Sequence, residues 1–394
     1  MNRREEIAYL RQAALEGQRE AQYDLACAYA DGNGVPKNQR TAFRWFLKAA
    51  ELEDAEAMTA VGYCLLNGEG VDPDEDQAVA WLRRAKEAGS ADADRYLTGC
   101  LIYGQGMPQD LAKGMAEAER LFGLTRDPEY AYLLACAYGD LHEDSAGARE
   151  WHAQAAELGH DESMVWMGYY CRFGIGMPRS LKRAFEWYKR AADAGNDAGM
   201  ENLAVCYQHG EGVVQDLERA YEYRNQAAQL GHPVSKRWLS KHLIHGVGVD
   251  PDPVQGVIML EELAQSDGTA CMMLGELFYY GEGVDTDLER AIGWFEKAAD
   301  AQVPEAWTFL GTLAWHGEGQ AKDPAKAERY YELAADAGEP QAIFNLSYLF
   351  DERGESEKAL ASLEKAAAMG HGAAACQLAK RSITGLGMPK DAVR

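Results

Sequence analysis

The chain has 394 residues, 47% of them hydrophobic, and its formal net charge is −24. That apolar share is enough for an extended hydrophobic core. The acidity repels phosphate groups and argues against nucleic acid or an anionic membrane surface as the main ligand. It permits a basic partner, although solubility alone would also explain it.

Charged residues interrupt the N-terminal stretch Met1–Leu10, which is not typical of a secretory signal peptide. No window of the sequence approaches the ~18 consecutive apolar residues of a spanning helix. We therefore expect no membrane insertion and a cytoplasmic location. Export by a route that needs no signal peptide stays open.

A Gly-x-Gly motif recurs along the chain roughly every 36 residues, a period typical of a solenoid of stacked helix pairs. Two incomplete copies of the motif, at Gly139 and near Gly354, lie where the period predicts them. Such an architecture favours binding over catalysis. The intact copies are Gly32/Gly34, Gly68/Gly70, Gly104/Gly106, Gly174/Gly176, Gly210/Gly212, Gly246/Gly248, Gly281/Gly283, Gly317/Gly319 and Gly385/Gly387.

The domain organisation follows from this period. Residues 3–16 resemble the second helix of a repeat and predict an N-terminal capping helix. About ten helix pairs follow over residues 17–370, and residues 371–394 hold an incomplete C-terminal repeat. We expect residues 1–394 to form one solenoid, because in a repeat array each unit packs only on its neighbours.

The second repeat shows how the first helix of a pair, helix A, is encoded. Val61 and Leu65 stand four residues apart and predict one apolar helix face. The small Gly62 beside them allows a neighbouring helix to approach closely. Gly68 and Gly70 then end the helix, because glycine adopts a positive φ without strain.

The second helix of the pair, helix B, follows an acidic loop. Asp72–Asp76 supplies loop and N-cap residues, and Ala78, Trp81 and Ala85 then recur at helical spacing until Gly89 ends the repeat. We predict that the helix B aromatic residues belong to the core. Its counterparts are Trp45, Trp187, Trp294 and Tyr330.

The cysteines also follow the repeat. Six of the eight recur once per repeat, at Cys27, Cys64, Cys100, Cys136, Cys171 and Cys206. Equivalent points of adjacent repeats lie roughly 10 Å apart by helix packing, whereas a disulfide needs Cα atoms within about 7 Å. We therefore predict free thiols rather than bridges. The chain has no Cys-x-x-Cys, the common zinc and redox spacing.

These motifs carry a family resemblance over essentially the whole chain. The segment Gly281–Ala299, which reads Gly-Glu-Gly-Val and then Arg-Ala-Ile-Gly-Trp-Phe-Glu-Lys-Ala-Ala, resembles the Sel-one-like repeat, a relative of the tetratricopeptide repeat. The resemblance implies an all-α, right-handed α/α superhelical solenoid of about eleven helix-turn-helix repeats. Local departures are a replaced helix B at 114–122, Met259 at the aromatic position of repeat seven, and a short turn at 351–354.

The candidate binding residues come from the same resemblance. In the tetratricopeptide fold, helix A lines the concave surface, and positions two and five residues from the Leu-Gly pair would face that groove. Aromatic residues and arginine are the usual anchors of interfaces, and packing within the solenoid is the alternative role. The candidates are Tyr63, Arg95, Tyr132, Tyr169, Arg172, Gln208, Arg237, Tyr279, Trp315 and Phe344.

Other motifs invite a chemical interpretation that their context does not support. His242 and His245 share one helix face without a third metal ligand nearby in sequence. Ser362 and Lys365 have the Ser-x-x-Lys spacing of acyl-serine enzymes, but the companion motifs are missing. The Gly-x-Gly copies lack the third glycine and the strand of a dinucleotide site. We expect no catalytic residue, no metal and no cofactor.

The predicted function is a protein–protein interaction scaffold or adaptor that binds a protein or peptide in its concave groove. The alternative is an immunity or inhibitor protein that neutralises a toxin or enzyme, for which the acidic charge would suit a basic target. A third possibility, β-lactam hydrolysis, is linked to a cysteine-rich branch of the family whose paired cysteines are replaced here by alanines such as Ala49-Ala50. Self-association through the open C-terminal end is also possible.

Overall fold

The computed structural model describes residues 3–140 and 145–384. This part of the chain folds into 22 α-helices and contains no β-strand. The prediction of an all-α solenoid of helix pairs is confirmed. The last predicted turn, at Gly385/Gly387, lies outside the described residues.

The chain divides into two compact units, Met1–Gly195 and Asn196–Arg394. Unit 1 contains α1 (Arg3–Leu15), α2 (Arg19–Asp31), α3 (Gln39–Glu51), α4 (Ala55–Asn67), α5 (Glu75–Glu87), α6 (Ala91–Tyr103), α7 (Leu111–Thr125), α8 (Pro128–Asp140), α9 (Ser145–Glu157), α10 (Asp161–Phe173) and α11 (Leu181–Asp193). Unit 2 contains α12 (Asp197–His209), α13 (Leu217–Gln229), α14 (Pro233–His245), α15 (Pro253–Leu263), α16 (Gly268–Tyr280), α17 (Leu288–Asp300), α18 (Pro304–His316), α19 (Pro324–Asp336), α20 (Pro340–Glu352), α21 (Ser356–Ala368) and α22 (Gly372–Thr384).

Consecutive helices pack against each other within each unit. In unit 1, the single helix α1 precedes five pairs of helix A and helix B, from α2/α3 to α10/α11. In unit 2, five pairs from α12/α13 to α20/α21 precede α22. The prediction that residues 1–394 form one continuous array stays a prediction.

Helix ends follow directly from the repeated turn sequence. The Asp74 carboxylate accepts a hydrogen bond from the backbone N–H of Gln77 at 2.9 Å and caps the start of α5. Gly68 ends α4 in the left-handed region with φ 71°. The same N-caps recur at Asn38, Asp110, Ser180, Asp216, Asp252, Asp287 and Asp323, and the same C-caps at Gly32, Gly104, Gly174, Gly210, Gly246, Gly281 and Gly317.

The second glycine of the motif has a further role in stacking one repeat on the previous one. Gly70 has φ 74°, and a Cβ atom on it would lie 2.2 Å from the carbonyl oxygen of Gln39, the first residue of α3. A Cβ atom on Gly106 would likewise lie 2.1 Å from the carbonyl oxygen of Glu75, at the start of α5. No side chain fits at this contact between repeats.

In two of the helix pairs, α4/α5 and α16/α17, a glycine on helix A faces a large residue on helix B. A Cβ atom on Gly62 would lie 2.6 Å from Leu82 Cγ, and one on Gly275 would lie 2.5 Å from the Phe295 ring. In both pairs, the residue that follows the helix B aromatic position, Leu82 or Phe295, is therefore the deep core residue. Of the predicted core aromatics, Trp187 is buried, whereas Trp45, Trp81, Trp294 and Tyr330 are only half-buried.

All eight cysteines lie in the described part of the chain, and none of them forms a disulfide. Burial raises the pKa of the Cys100 thiol to about 11, and the carboxylate of Glu75 adds to the shift. Such thiols stay protonated at neutral pH and are poor nucleophiles. The prediction of free thiols rather than bridges is confirmed.

Candidate functional site

Three of the predicted site residues line one cavity in unit 1, formed by the A helices α4, α6 and α8. Its volume is about 370 Å³, and Tyr63, Arg95 and Tyr132 all contribute to its wall. The remaining wall residues are Leu66, Asn67, Tyr96, Gly99, Cys100, Tyr103, Gln105, Glu129, Leu133 and Cys136. Convergent aromatic rings with a few polar groups are the usual lining of a binding pocket.

The cavity lies where α6 has a glycine at a position at which some other A helices have large side chains. Gly99 occupies the repeat position at which α4 has Tyr63 and α10 has Tyr169. A Cβ atom on Gly99 would meet only Leu133 Cδ1, at 3.9 Å. The missing side chain therefore leaves open space at the surface of the A helices.

Arg95 lies at the edge of this cavity with its charge compensated. Its guanidinium forms a salt bridge with Glu129, stands 3.6 Å from an Asp92 oxygen, and lies over the Tyr96 ring at 4.9 Å. Its Nε atom is buried and has no hydrogen-bond partner. Arg95 is thus held by α8 and α6 rather than extended toward solvent.

The tyrosines of the cavity are neutral donors in a negative environment. The Tyr63 hydroxyl donates to Glu69 Oε1 at 3.1 Å, and burial together with that carboxylate raises its pKa to about 12. Burial, then Cys136 and Asp140, raises the pKa of Tyr103 to about 12. These carboxylates favour a cationic group near the cavity.

A row of exposed aromatic side chains lies on α10. Trp166, Tyr169 and Phe173 are 43%, 40% and 55% exposed. The ring centroids of Trp166 and Tyr169 are 5.8 Å apart, and those of Tyr169 and Phe173 are 4.7 Å apart. The guanidinium of Arg172 lies over the Phe173 ring at 5.4 Å. Tyr169 and Arg172 were predicted; Trp166 and Phe173 were missed, although their i, i+3, i+7 spacing with Tyr169 is visible in the sequence.

Ring contacts connect the cavity with the α10 row. Tyr132 stacks on His160 with centroids 4.3 Å apart and contacts His152 at 5.8 Å. His152 in turn stacks on Trp166 at 5.5 Å. We call the surface formed by Tyr63, Tyr96, Tyr132, Trp166, Tyr169 and Phe173 the aromatic groove.

His152 makes the stability of unit 1 depend on pH. Burial, and then the nearby His160, lowers the pKa of His152 to about 4, whereas an unfolded chain titrates near ~6.5. The unfolded chain therefore binds the proton first, so this stability is complete above pH ~6.5 and falls as the pH drops toward 4. His152→Phe places the residue that Phe46 and Phe295 supply at this repeat position. It should lower the pH dependence of the free energy of unfolding by about 1.4 kcal/mol per pH unit. Urea denaturation at pH 7, 6 and 5 measures it, and an unchanged slope contradicts the assignment.

The predicted residues on α12 and α14 of unit 2 are engaged within the fold. Gln208 Oε1 accepts a hydrogen bond from Arg224 Nη1 at 2.5 Å. The Arg237 guanidinium forms a salt bridge with Asp267. Both side chains are half-buried.

The other predicted residues of unit 2 differ in exposure. The Tyr279 hydroxyl donates to Glu318 Oε2 at 3.1 Å. Trp315 lines a second cavity, of about 300 Å³, together with Tyr348. Phe344 is 8% exposed and belongs to a core cluster, so we leave it out of the proposed surface.

The alternative chemical interpretations find little support in the geometry. His242 has both ring nitrogens engaged, Nδ1 with the Val247 carbonyl at 2.7 Å and Nε2 with Arg224 at 2.6 Å. Across residues 3–140 and 145–384, no three His, Cys, Asp or Glu side chains come together as a metal site requires. Within those same ranges, every helix is too short or too polar to cross a membrane.

The comparisons with known proteins agree on the repeat family. The Sel1 repeat model matches residues 19–54, 55–90, 96–116, 128–160, 161–196, 197–232, 234–267, 268–303, 304–339, 340–371 and 372–394. No curated protein sequence matches the chain.

Solved structures include similar repeat proteins. A protective antigen of uropathogenic Escherichia coli strains that displays an SLR fold is 30% identical, with a TM-score of 0.57, over 98% of this chain and 84% of that one. A Sel1 repeat protein from Oxalobacter formigenes is 26% identical, with a TM-score of 0.44, over 87% and 89%. An immunity protein from Pseudomonas aeruginosa is 15% identical, with a TM-score of 0.43, over 54% and 82%.

Proteins built from these repeats generally mediate protein–protein interactions, and the repeats are scaffolds that are typically not enzymes. The eleven matches extend from residue 19 to residue 394. The chain belongs to the Sel1 repeat family.

Proposed function

We propose that the chain is an interaction scaffold or adaptor that binds a protein or peptide segment in the aromatic groove of unit 1. The observation that carries this proposal is the exposed row Trp166, Tyr169 and Phe173 next to the cavity at Tyr63 and Tyr132. Large aromatic side chains left partly exposed in a cluster are typical of interaction sites. Each such anchor commonly contributes about 2 kcal/mol to an interface.

The groove suits a segment with an apolar side chain beside a basic one. The cavity offers about 370 Å³ of space between aromatic rings, which takes one large side chain. The carboxylates of Glu69 and Asp140 lie near its tyrosines and favour a cation there. Together with the net charge of −24, this supports a basic partner segment.

Site-specific photo-crosslinking tests where the partner docks. A benzophenone side chain introduced at Tyr169 should give a discrete adduct in the native cell, because this position lies in the middle of the exposed row. The matched control is Leu158 of the same unit, which is 44% exposed and lies outside the groove. Adducts of equal yield at both positions would count against the groove.

An inhibitor that neutralises a toxin or enzyme could use the same surface, and the net charge of −24 is the observation that favours it. Electrostatic capture of a basic target accelerates association and makes the on-rate fall steeply with salt. Stopped-flow association between 50 and 300 mM salt, run with the captured partner, separates this role from a scaffold whose on-rate hardly changes.

A further inference from the structure

The B helices use an aromatic side chain to close the gap to the preceding repeat. In repeat one, Trp45 of α3 packs against a cluster that includes Ala13 and Ala14 of α1 and Leu25 of α2. Trp81, Trp151, Trp187, Tyr223, Trp294 and Tyr330 stand at the same repeat position. This position is where one repeat covers the side of its neighbour.

Repeat seven has Met259 at this position, on α15. The residues that correspond to Ala14 and Leu25 are Ala228 and Leu239, which keep their place in the repeat. Here they line a cavity of about 390 Å³, with Met259 on its wall. Asn225, Gln229, Lys236, Glu262, Leu263 and Ser266 complete the lining. We call this space the repeat-seven cavity.

The residue one turn later also departs from the pattern. In the four repeats with Trp45, Trp81, Trp187 and Trp294, a cation one turn later lies over the ring: Lys48 Nζ is 4.2 Å from the Trp45 centroid, and Lys297 Nζ is 3.8 Å from that of Trp294. In repeat seven this position is Glu262. A carboxylate at the cavity edge can accept an indole N–H or pair with a cation.

Two other repeats lack the aromatic residue but occupy its position differently. In repeat three, Glu117 forms a salt bridge with Arg120 at 2.7 Å. In repeat ten, where Ser362 stands, Phe344 of the paired helix joins a core cluster against which Ala335 packs. In repeat seven, by contrast, the space next to Met259 stays open.

We propose that the repeat-seven cavity is a docking site for an aromatic side chain, above all tryptophan, presented by a partner protein. The chain itself indicates the ligand, because the equivalent alanine and leucine, Ala14 and Leu25, pack against Trp45 in repeat one. Ala228, Leu239 and Leu263 offer the apolar walls, and Glu262 offers an acceptor for the indole N–H. This site goes beyond the aromatic groove, since it belongs to unit 2 and uses α13, α14 and α15.

A direct test uses N-acetyl-L-tryptophanamide, which mimics a tryptophan within a chain, and protein labelled with ¹³C at the methionine methyls. We expect the Met259 methyl resonance, assigned with Met259→Ile, to move in a saturable way through the ring current of the indole. The buried Met115 of unit 1 should not move. N-acetyl-L-leucinamide is the control ligand. No movement of Met259, or an equal affinity for the leucine compound, would overturn the proposal.

Filling the cavity gives the complementary test. Met259→Trp restores the repeat pattern and should reduce saturation transfer to the indole protons of N-acetyl-L-tryptophanamide at least fivefold, with an unchanged helical circular dichroism spectrum. If that variant misfolds, Met259→Phe replaces it with the same expectation. The reciprocal change Trp294→Met opens the corresponding space in repeat eight and should add a second site. Undiminished binding to the filled variants would contradict the assignment.

Discussion

Replacing Arg224 by methionine should destabilise α12–α14 by about 3–5 kcal/mol, which is the usual cost of removing one partner of a buried ion pair. Arg224 is 1% exposed, and its Nε atom stands 3.2 Å from Glu201 Oε1, which is also buried. Without the guanidinium, the carboxylate of Glu201 would remain buried with only the Ser235 hydroxyl, which donates to its Oε2 at 2.6 Å.

The repeat pattern explains why this ion pair is replaceable. Arg224 follows the aromatic position of α13, where other B helices have Phe46, Leu82 and Phe295 in the core. The double variant Glu201→Met/Arg224→Leu should therefore recover most of the lost stability, since well-packed apolar residues often equal a buried ion pair.

Hydrogen exchange of the α12–α14 amides measures this effect locally, because a repeat array need not unfold in one step. The single variant should lose protection and the double variant should regain it. Equal protection in the wild type and in Arg224→Met would show that the ion pair contributes nothing to the fold.

Gly248→Ala should cost about 3–4 kcal/mol, more than an ordinary glycine replacement at positive φ. Gly248 has φ 74°, and a Cβ atom there would lie 2.0 Å from the carbonyl oxygen of Leu217, at the start of α13. A backbone atom cannot give way as the end of a side chain can, so α13 and the turn must separate.

The matched control is Gly231→Ala in the same unit. Gly231 also has a positive φ, 105°, but nothing lies within 4 Å of its Cβ position. This variant should lose only about 1–2 kcal/mol, the strain of the backbone conformation itself. Denaturant midpoints of the two variants isolate the contact between repeats, and equal losses would mean that close approach is not the reason for the second glycine.

Helix order and helix ends could be predicted from the sequence because each repeat carries its own local signals. Asp74 as an N-cap and Gly68 as a C-cap act within one turn of the chain. Depth in the core was less predictable. Trp81 matches the apolar period but is half-buried, whereas the next residue, Leu82, is fully buried against Gly62. Which of two adjacent apolar residues points inward depends on the angle at which the two helices cross. The hydrophobic period of a single helix does not determine that angle.

The candidate site was predictable to a similar extent. The repeat register brought Arg95 and Tyr132 to one surface because they hold equivalent positions of neighbouring A helices, and Tyr63 lies one turn further along on the same surface. The void at Gly99 could not be predicted, since it depends on what the adjacent helices fail to fill. Trp166 was missed because it lies one residue before the Leu-Gly position, whereas the prediction used displacements of two and five residues.

The central claim is that a protein partner binds in the aromatic groove, and comparative affinity capture from native cell extract tests it most directly. The bait is the wild type, the groove variant Tyr63→Ala/Tyr132→Ala/Tyr169→Ala, or the control variant Leu52→Ala/Leu124→Ala/Leu158→Ala. The control removes three exposed side chains of the same unit outside the groove.

We predict one stoichiometric partner that the wild type and the control variant retain equally. The folded groove variant should retain at least tenfold less of it, because several anchors of about 2 kcal/mol are lost together. Equal retention by the groove variant and the wild type would contradict the account and move the binding site to another face of the molecule.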